Sequence, residues 1–428
     1  MKQLLGPIIL FLAGAVGAES PTYTLNQCVS IGLERAVPIL NAKRDQEIAE
    51  GTMKKALATG LPQVDLLGSY TRNDENSLPA FSTEEMLRDR YAGSIVASQT
   101  IYDGGNVFSA IRAAKAYRGL TAQATEQAKA DLILQIHIGF NGILLLQANV
   151  IVQEASVQQL TDFEKEARQK YDVGAVAEFD WLTAQVRKAN ETPKLIEARN
   201  ILSIAKERFR NLIVLDSTEY QLDGELTYSP YNPDLMTLQS GAVSLRPELL
   251  VQEKRIILRQ EDLKTSKSAY QPKVTAEALY TQENPDRYDG TSSEWSDHWT
   301  AGLVAKWTLF DSGTRKGDVL IKGMELAKSQ ANRDDLLREV SLDVKSTWLN
   351  MEAARELITG TEENVKLAEK ALQIAKTRKN AGLSTYLEFT DSNLSLNTAR
   401  LNYYRALEKH LNAVVNLKHA AGLLGKME

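Results

Sequence analysis

The chain has 428 residues, a net charge of −5 at pH 7, one cysteine, and 43% hydrophobic against 25% charged residues. So even a charge balance excludes the broad basic field that nucleic-acid binding needs. A single cysteine excludes an internal disulfide framework, and the length allows two domains.

Residues 1–18 combine Lys2, an apolar run from Leu4 to Val16 and the small-x-small triplet Val16-Gly17-Ala18. The run is shorter than the ~20 residues a bilayer span requires. It reads as a secretory signal peptide cut after Ala18. Cys28 follows Leu25-Asn26-Gln27 rather than the small residues of a lipid-anchor site, and reads as a small apolar helix residue. A short helix is expected over 25–37, and a longer one follows Pro38.

Around Pro62 the hydrophobic period switches to two. Val64, Leu66, Gly68 and Tyr70 share one face, and Gln63, Asp65, Ser69 and Thr71 the other. Strands are expected at about 62–72 and 93–103, joined by a long polar loop from Asn73. Alternating faces suit a barrel wall between lipid and water, and equally a half-buried sheet in a soluble protein.

From Gly105 to Tyr171 the chain runs 67 residues without proline, rich in helix-forming Ala, Gln, Glu, Lys and Leu. As one helix it would reach about 100 Å. Its most apolar part, from Leu132, is interrupted by Gln135, His137, Asn141, Gln147 and Asn149, as suits a helix packed among helices. A turn at Gly174 then sends the chain into a return helix over about 179–214. The segment 215–237 holds one glycine, two prolines and turn residues, and reads as a linker.

The same parts then recur. Pro247 answers Pro38 and Pro272 answers Pro62, while Asp311 and Gly382 each lie 208 positions after Asp103 and Gly174. Landmarks repeated in one order at near-constant offset mark a duplication. The first repeat spans 19–214 and the second 238–428. The second has strands at about 272–283 and 299–310, a proline-free stretch from Gly313 to Lys379 and a hairpin tip at 382.

Four strands cannot close a barrel, because even small closed barrels need about eight. Open edges in lipid would leave backbone groups unpaired at several kcal/mol each. If the strands are membrane-embedded, the barrel is shared, and three copies would supply twelve strands and twelve helical rods. The corners at Asp103-Gly104 and at Asp311 and Gly313 would then be where barrel wall becomes helical wall.

With these landmarks the chain resembles the TolC family of outer-membrane efflux and secretion channels. The resemblance rests on Thr24-Leu25, Pro38, Leu61-Pro62, both corners, and the Gly174 and Gly382 turns. It implies a largely α-helical protein with a membrane β-barrel part. The trimer would form a 12-stranded barrel in the outer membrane, continued by a 12-helix periplasmic α-barrel. The implied partners are outer-membrane lipid, a periplasmic adaptor and an inner-membrane pump of the RND or ABC class, in efflux or type I secretion. Catalysis, cofactors and nucleic acid are not part of the picture.

The resemblance also implies site residues. Asp180, Glu388 and Asp391 would face the pore at its periplasmic mouth. Glu388 and Asp391, three apart, share one helix face, whereas Asp180 alone could simply complement its helix dipole, worth about 0.3–1 kcal/mol. The family's tyrosine and arginine lock positions are Lys379 and Ser384 here, so the partner of Asp180 in that pattern is absent, and Arg378 or Lys379 could substitute as gate partners. Gly174, Ala175, Ala381, Gly382, Leu383 and Ser384 would contact the adaptor.

Two other classes compete. An enzyme is disfavoured because His137, His298, His410 and His419 show no paired metal-ligand spacing. A periplasmic coiled-coil scaffold or adaptor without a pore would use the helices, but would leave four alternating strands idle.

Overall fold

A computed structural model describes residues 21–74, 89–284, 294–381, 383 and 386–426. The expected signal peptide, much of both polar loops, and the tip residues Gly382 and Ser384 lie outside the described residues.

In chain order the elements are β1 (Thr22–Thr24), α1 (Leu25–Arg35), α2 (Val37–Ala58), β2 (Gln63–Arg72), β3 (Asp89–Tyr102), α3 (Asn106–Asp172) and α4 (Glu178–Ile213). The second set is β4 (Gln221–Asp223), α5 (Leu235–Leu245), α6 (Pro247–Ser268), β5 (Lys273–Asn284), β6 (Ser296–Lys306), α7 (Thr314–Asn380) and α8 (Tyr386–Ala420). Helices α3 and α7 each run 67 residues. The chain forms two compact units that cut across the duplication. One comprises Met1–Val37, Ala130–Pro233 and Ser346–His419; the other comprises Pro38–Lys129, Asp234–Lys345 and Ala420–Glu428.

The first unit is helical, with a small parallel β1–β4 pair that the sequence did not signal. Thr24 ends β1 and starts α1 through a capping box. The Gln27 N–H donates to Thr24 Oγ1, and the Thr24 N–H donates to Gln27 Oε1 at 2.9 Å. The helix stops at Arg35 because Ala36 is extended, two residues short of the expected end. Pro38 therefore falls in the first turn of α2, where a missing N–H costs nothing. The core gathers Cys28, Ile136, Phe140, Ile143, Phe209 and Ile213, all buried. Gly32 packs closely there: a Cβ would lie 2.6 Å from Ile136 Cδ1, so that buried side chain would have to shift. Burial pushes the Cys28 thiol up to about 11, which keeps it protonated and inert.

The second unit carries an antiparallel sheet in the order β2-β3-β5-β6, so its central pair joins the two repeats. Register builds cross-strand rows on each face. Leu66 pairs with Ile95, Ile95 with Tyr280 and Tyr280 with Trp299, giving one apolar row across all four strands. Tyr70 and Tyr91 add a ring contact at 5.1 Å on that same face. The opposite face holds Ser94 hydrogen-bonded to Thr281, and Arg90 paired with the buried Glu283 at 2.6 Å. Among the described residues, β2 pairs only with β3 and β6 only with β5, so both outer edges lack a ladder partner.

Three strand limits differ from expectation by three or more residues: β3 and β6 both start early, β6 at Ser296 rather than 299, and β6 also stops early. β3 begins at Asp89 rather than 93, because β2 extends to Arg72 and the two residues pair. β6 ends at Lys306, so Trp307 to Phe310 are not strand. Lys306 pairs with Lys273, the first residue of β5, and past it the sheet offers no partner on that side. Trp307 Nε1 instead donates to the Tyr270 carbonyl at 3.1 Å.

Candidate functional site: corners and hairpin tips

The corners are helix caps as well as turns. Asp103 directly follows β3, and its carboxylate accepts from the Val107 N–H at 2.9 Å. Asp311 accepts from the Gly313 N–H at 3.1 Å and the Arg315 N–H at 3.0 Å, and its carboxylate also binds Arg315 Nε at 2.6 Å. Each aspartate satisfies orphan donors at the start of a 67-residue helix. The Arg315 backbone N–H, then its guanidinium, hold Asp311 below the usual carboxylate range. Gly104 has φ +68 and Gly313 φ +93, values that favour glycine. At Gly104 space is also short, since a Cβ would lie 2.7 Å from Gln271 Cβ and 2.8 Å from the Ser268 carbonyl.

The first hairpin tip closes α3 with a Schellman motif. Gly174 sits at φ +71, its N–H donates to the Tyr171 carbonyl, and the Ala175 N–H donates to the Lys170 carbonyl at 2.7 Å. At the second tip the Leu383 N–H reaches the Arg378 carbonyl at 2.9 Å, the same six-to-one bond, and Ala381 donates to Thr377. Arg378 then returns a guanidinium bond to the Leu383 carbonyl at 3.4 Å. Val173, Phe179 and Leu383 are each more than 70% exposed, so both tips present apolar side chains beside small ones.

Behind the tips the acids occupy different surroundings. Asp180 lies exposed in the first turn of α4 and lines a cleft of about 650 Å3 with Glu166, Lys170, Thr183 and Arg187. Glu388 is exposed in the first turn of α8. Asp391, one turn on, lies 3.8 Å from Arg187 of α4. Arg187 also donates to Thr390 Oγ1 at 2.6 Å.

Lys379 meets Glu166 of α3 at 2.9 Å, and its ammonium also lies 5.1 Å from the Phe389 ring centroid. The hydrogen bond from Lys170, and then that from Lys379, hold Glu166 below its ordinary value against the opposing effect of desolvation. Two links, Lys379–Glu166 and Arg187–Thr390/Asp391, thus tie the two hairpins of one chain together. Glu166, Arg187 and Thr390 were not singled out from sequence, because partners about 200 positions apart leave no local signal. The stacked Tyr171–Trp181 pair, 5.4 Å apart across the first turn, was within reach of a reading that sought aromatics flanking Gly174.

The outer membrane efflux protein model matches this chain twice, over residues 29–213 and 238–423, and the chain belongs to that family. The outer membrane protein TolC of Vibrio cholerae is 24% identical over 100% of this chain and 97% of its own length. Among solved structures, the outer membrane protein VceC of Vibrio cholerae aligns with a TM-score of 0.78 at 18% identity, covering 93% of this chain and 96% of its own. The CmeC outer membrane channel of Campylobacter jejuni gives 0.81 at 16% identity, covering 93% and 85%. The fold is that of an outer-membrane efflux channel, and the double family match coincides with the duplication.

Proposed function

We propose that three copies of this chain form a conduit that carries substrate from an inner-membrane pump and periplasmic adaptor across the outer membrane. The observation that carries it is the sheet β2-β3-β5-β6, which has one apolar face, one polar face and two unpaired edges. Such a sheet is stable in lipid only when closed. Three copies close it at twelve strands, within the range of known barrels. The 67-residue helices continue from each corner as the periplasmic wall.

At the tips, Asp180, Glu388 and Asp391 form the acidic periplasmic mouth. Lys379–Glu166 and Arg187–Asp391 act as the latch that holds the hairpins closed, in place of the tyrosine–arginine lock implied by resemblance. Gly174, Ala175, Ala381, Gly382, Leu383 and Ser384 make the adaptor-facing tips, where small residues let another helical hairpin approach the backbone. Reconstitution in planar bilayers tests the reading. Stepwise conductance with a closed resting state supports it, and the absence of any conductance from correctly assembled protein contradicts it.

A further inference from the structure

Within the unit that carries the sheet, helices α2, α3 and α6 wall a cleft of about 990 Å3. Five cations line it, Lys43, Arg112, Lys115, Arg118 and Lys254, against three carboxylates, Glu47, Glu50 and Glu261. Both arginines are already matched. Arg112 pairs with Glu261 at 2.9 Å and Arg118 with Glu50 at 3.2 Å. Glu261 takes a second partner from Lys264 at 2.7 Å, so its charge is not left over for the lysines. Among the described residues, Lys43, Lys115 and Lys254 have no carboxylate within ion-pair distance; Glu47, one turn after Lys43 on α2, is likewise unpaired, so five cations against three carboxylates leave a net excess of two positive charges.

Helical spacing places Arg112, Lys115 and Arg118 on one face of α3. The Lys254 stem lies over Gly119 of α3: a Cβ there would lie 3.4 Å from Lys254 Cε and 3.5 Å from its Cδ, ordinary contact distances. Lys254 therefore lies across α3 beside the Lys115 turn. A concave surface lined by excess charge of one sign focuses its field and concentrates counter-ions. Three ammonium groups with rotatable donors suit a compact multivalent anion.

We infer that this cleft binds a small soluble anion bearing phosphate or carboxylate groups, with Lys43, Lys115 and Lys254 as its ligands. A lipid headgroup could offer the same phosphate chemistry. Lys115 lies twelve residues beyond the Asp103 corner, however, roughly 18 Å along a helix, which favours a solute. The inference concerns binding alone and does not depend on conduction.

Inorganic pyrophosphate is the probe, titrated calorimetrically into the purified assembly in neutral detergent. Saturable binding at one per chain, weakened by added salt, is expected. Changing all three lysines to glutamine should weaken it roughly tenfold, each exposed charge contact contributing about two- to threefold. Lys345→Gln on α7, outside the cleft, should leave binding unchanged, and changing the three to arginine should retain it even if the glutamine variant assembles poorly. No binding by the wild type, or equal binding by the glutamine variant, overturns the site. Binding of dihexanoyl phosphatidylglycerol but not pyrophosphate overturns the solute assignment.

Discussion

Lys379 Nζ and Glu166 Oε2 stand 2.9 Å apart although 213 positions separate them, and they join the end of α7 to the last turns of α3. The pair links the second hairpin to the first near both tips. Partly exposed pairs of this kind contribute about 0.2–1 kcal/mol. Lys379→Gln should therefore raise the open population by up to about fivefold, read as open probability in planar bilayers. Adding Arg187→Ala, which removes the bonds to Thr390 and Asp391, should raise it further. An unchanged open probability in the double variant would remove these links from the gate.

Acid should act on the proposed latch in a defined direction. Lys170 and Lys379 depress Glu166 below its ordinary 4.5. A carboxylate depressed in the folded state contributes stability that is present above its unfolded value and lost as pH falls through the folded one. Conductance should therefore stay low from neutral pH down to about 4.5 and rise only below it. In Glu166→Gln that acid-induced rise should vanish. An opening transition centred near neutrality would assign the pH response to other groups.

The corner glycines separate backbone strain from crowding. Gly104 and Gly105 both have positive φ, but only at Gly104 would a Cβ collide with Gln271 and the Ser268 carbonyl. Gly105→Ala should cost about 1–2 kcal/mol for the left-handed conformation. Gly104→Ala should cost about 1–3 kcal/mol more from the collision. The temperature at which the assembled protein dissociates on heating reads the difference, and equal losses would contradict the tight corner.

Local chemistry decided how much could be read in advance. The duplication, the corners, the long helices and the tips rest on caps, turns and periodicity written within a few residues, such as Asp103 before Val107 or Gly174 before Ala175. The pairing of β3 with β5 follows from alternation only once the neighbours are known, so the sequence could not show that each compact unit mixes both repeats. The end of β6 at Lys306 depended on where its partner began. Glu166 and Arg187 were invisible for the same reason, since an ion pair between distant helices leaves nothing periodic to find. The basic cleft likewise draws its lysines from three helices.

The proposed acidic mouth has its own test. Glu388 and Asp391 are exposed and three apart on α8, and three copies would put six carboxylates around one axis. Such rings favour cations. Glu388→Gln with Asp391→Asn keeps side-chain size and removes the charge, so cation preference should fall, read from the reversal potential in a salt gradient. A wild-type reversal potential would make these residues helix-end acids only.

The proposed conduit depends on closure of the sheet between copies, so the number of chains in the purified particle is the most direct test. Native mass spectrometry from detergent should give a particle of three chains that resists dissociation in cold SDS. A monodisperse single chain with intact helix and strand content would contradict the shared barrel.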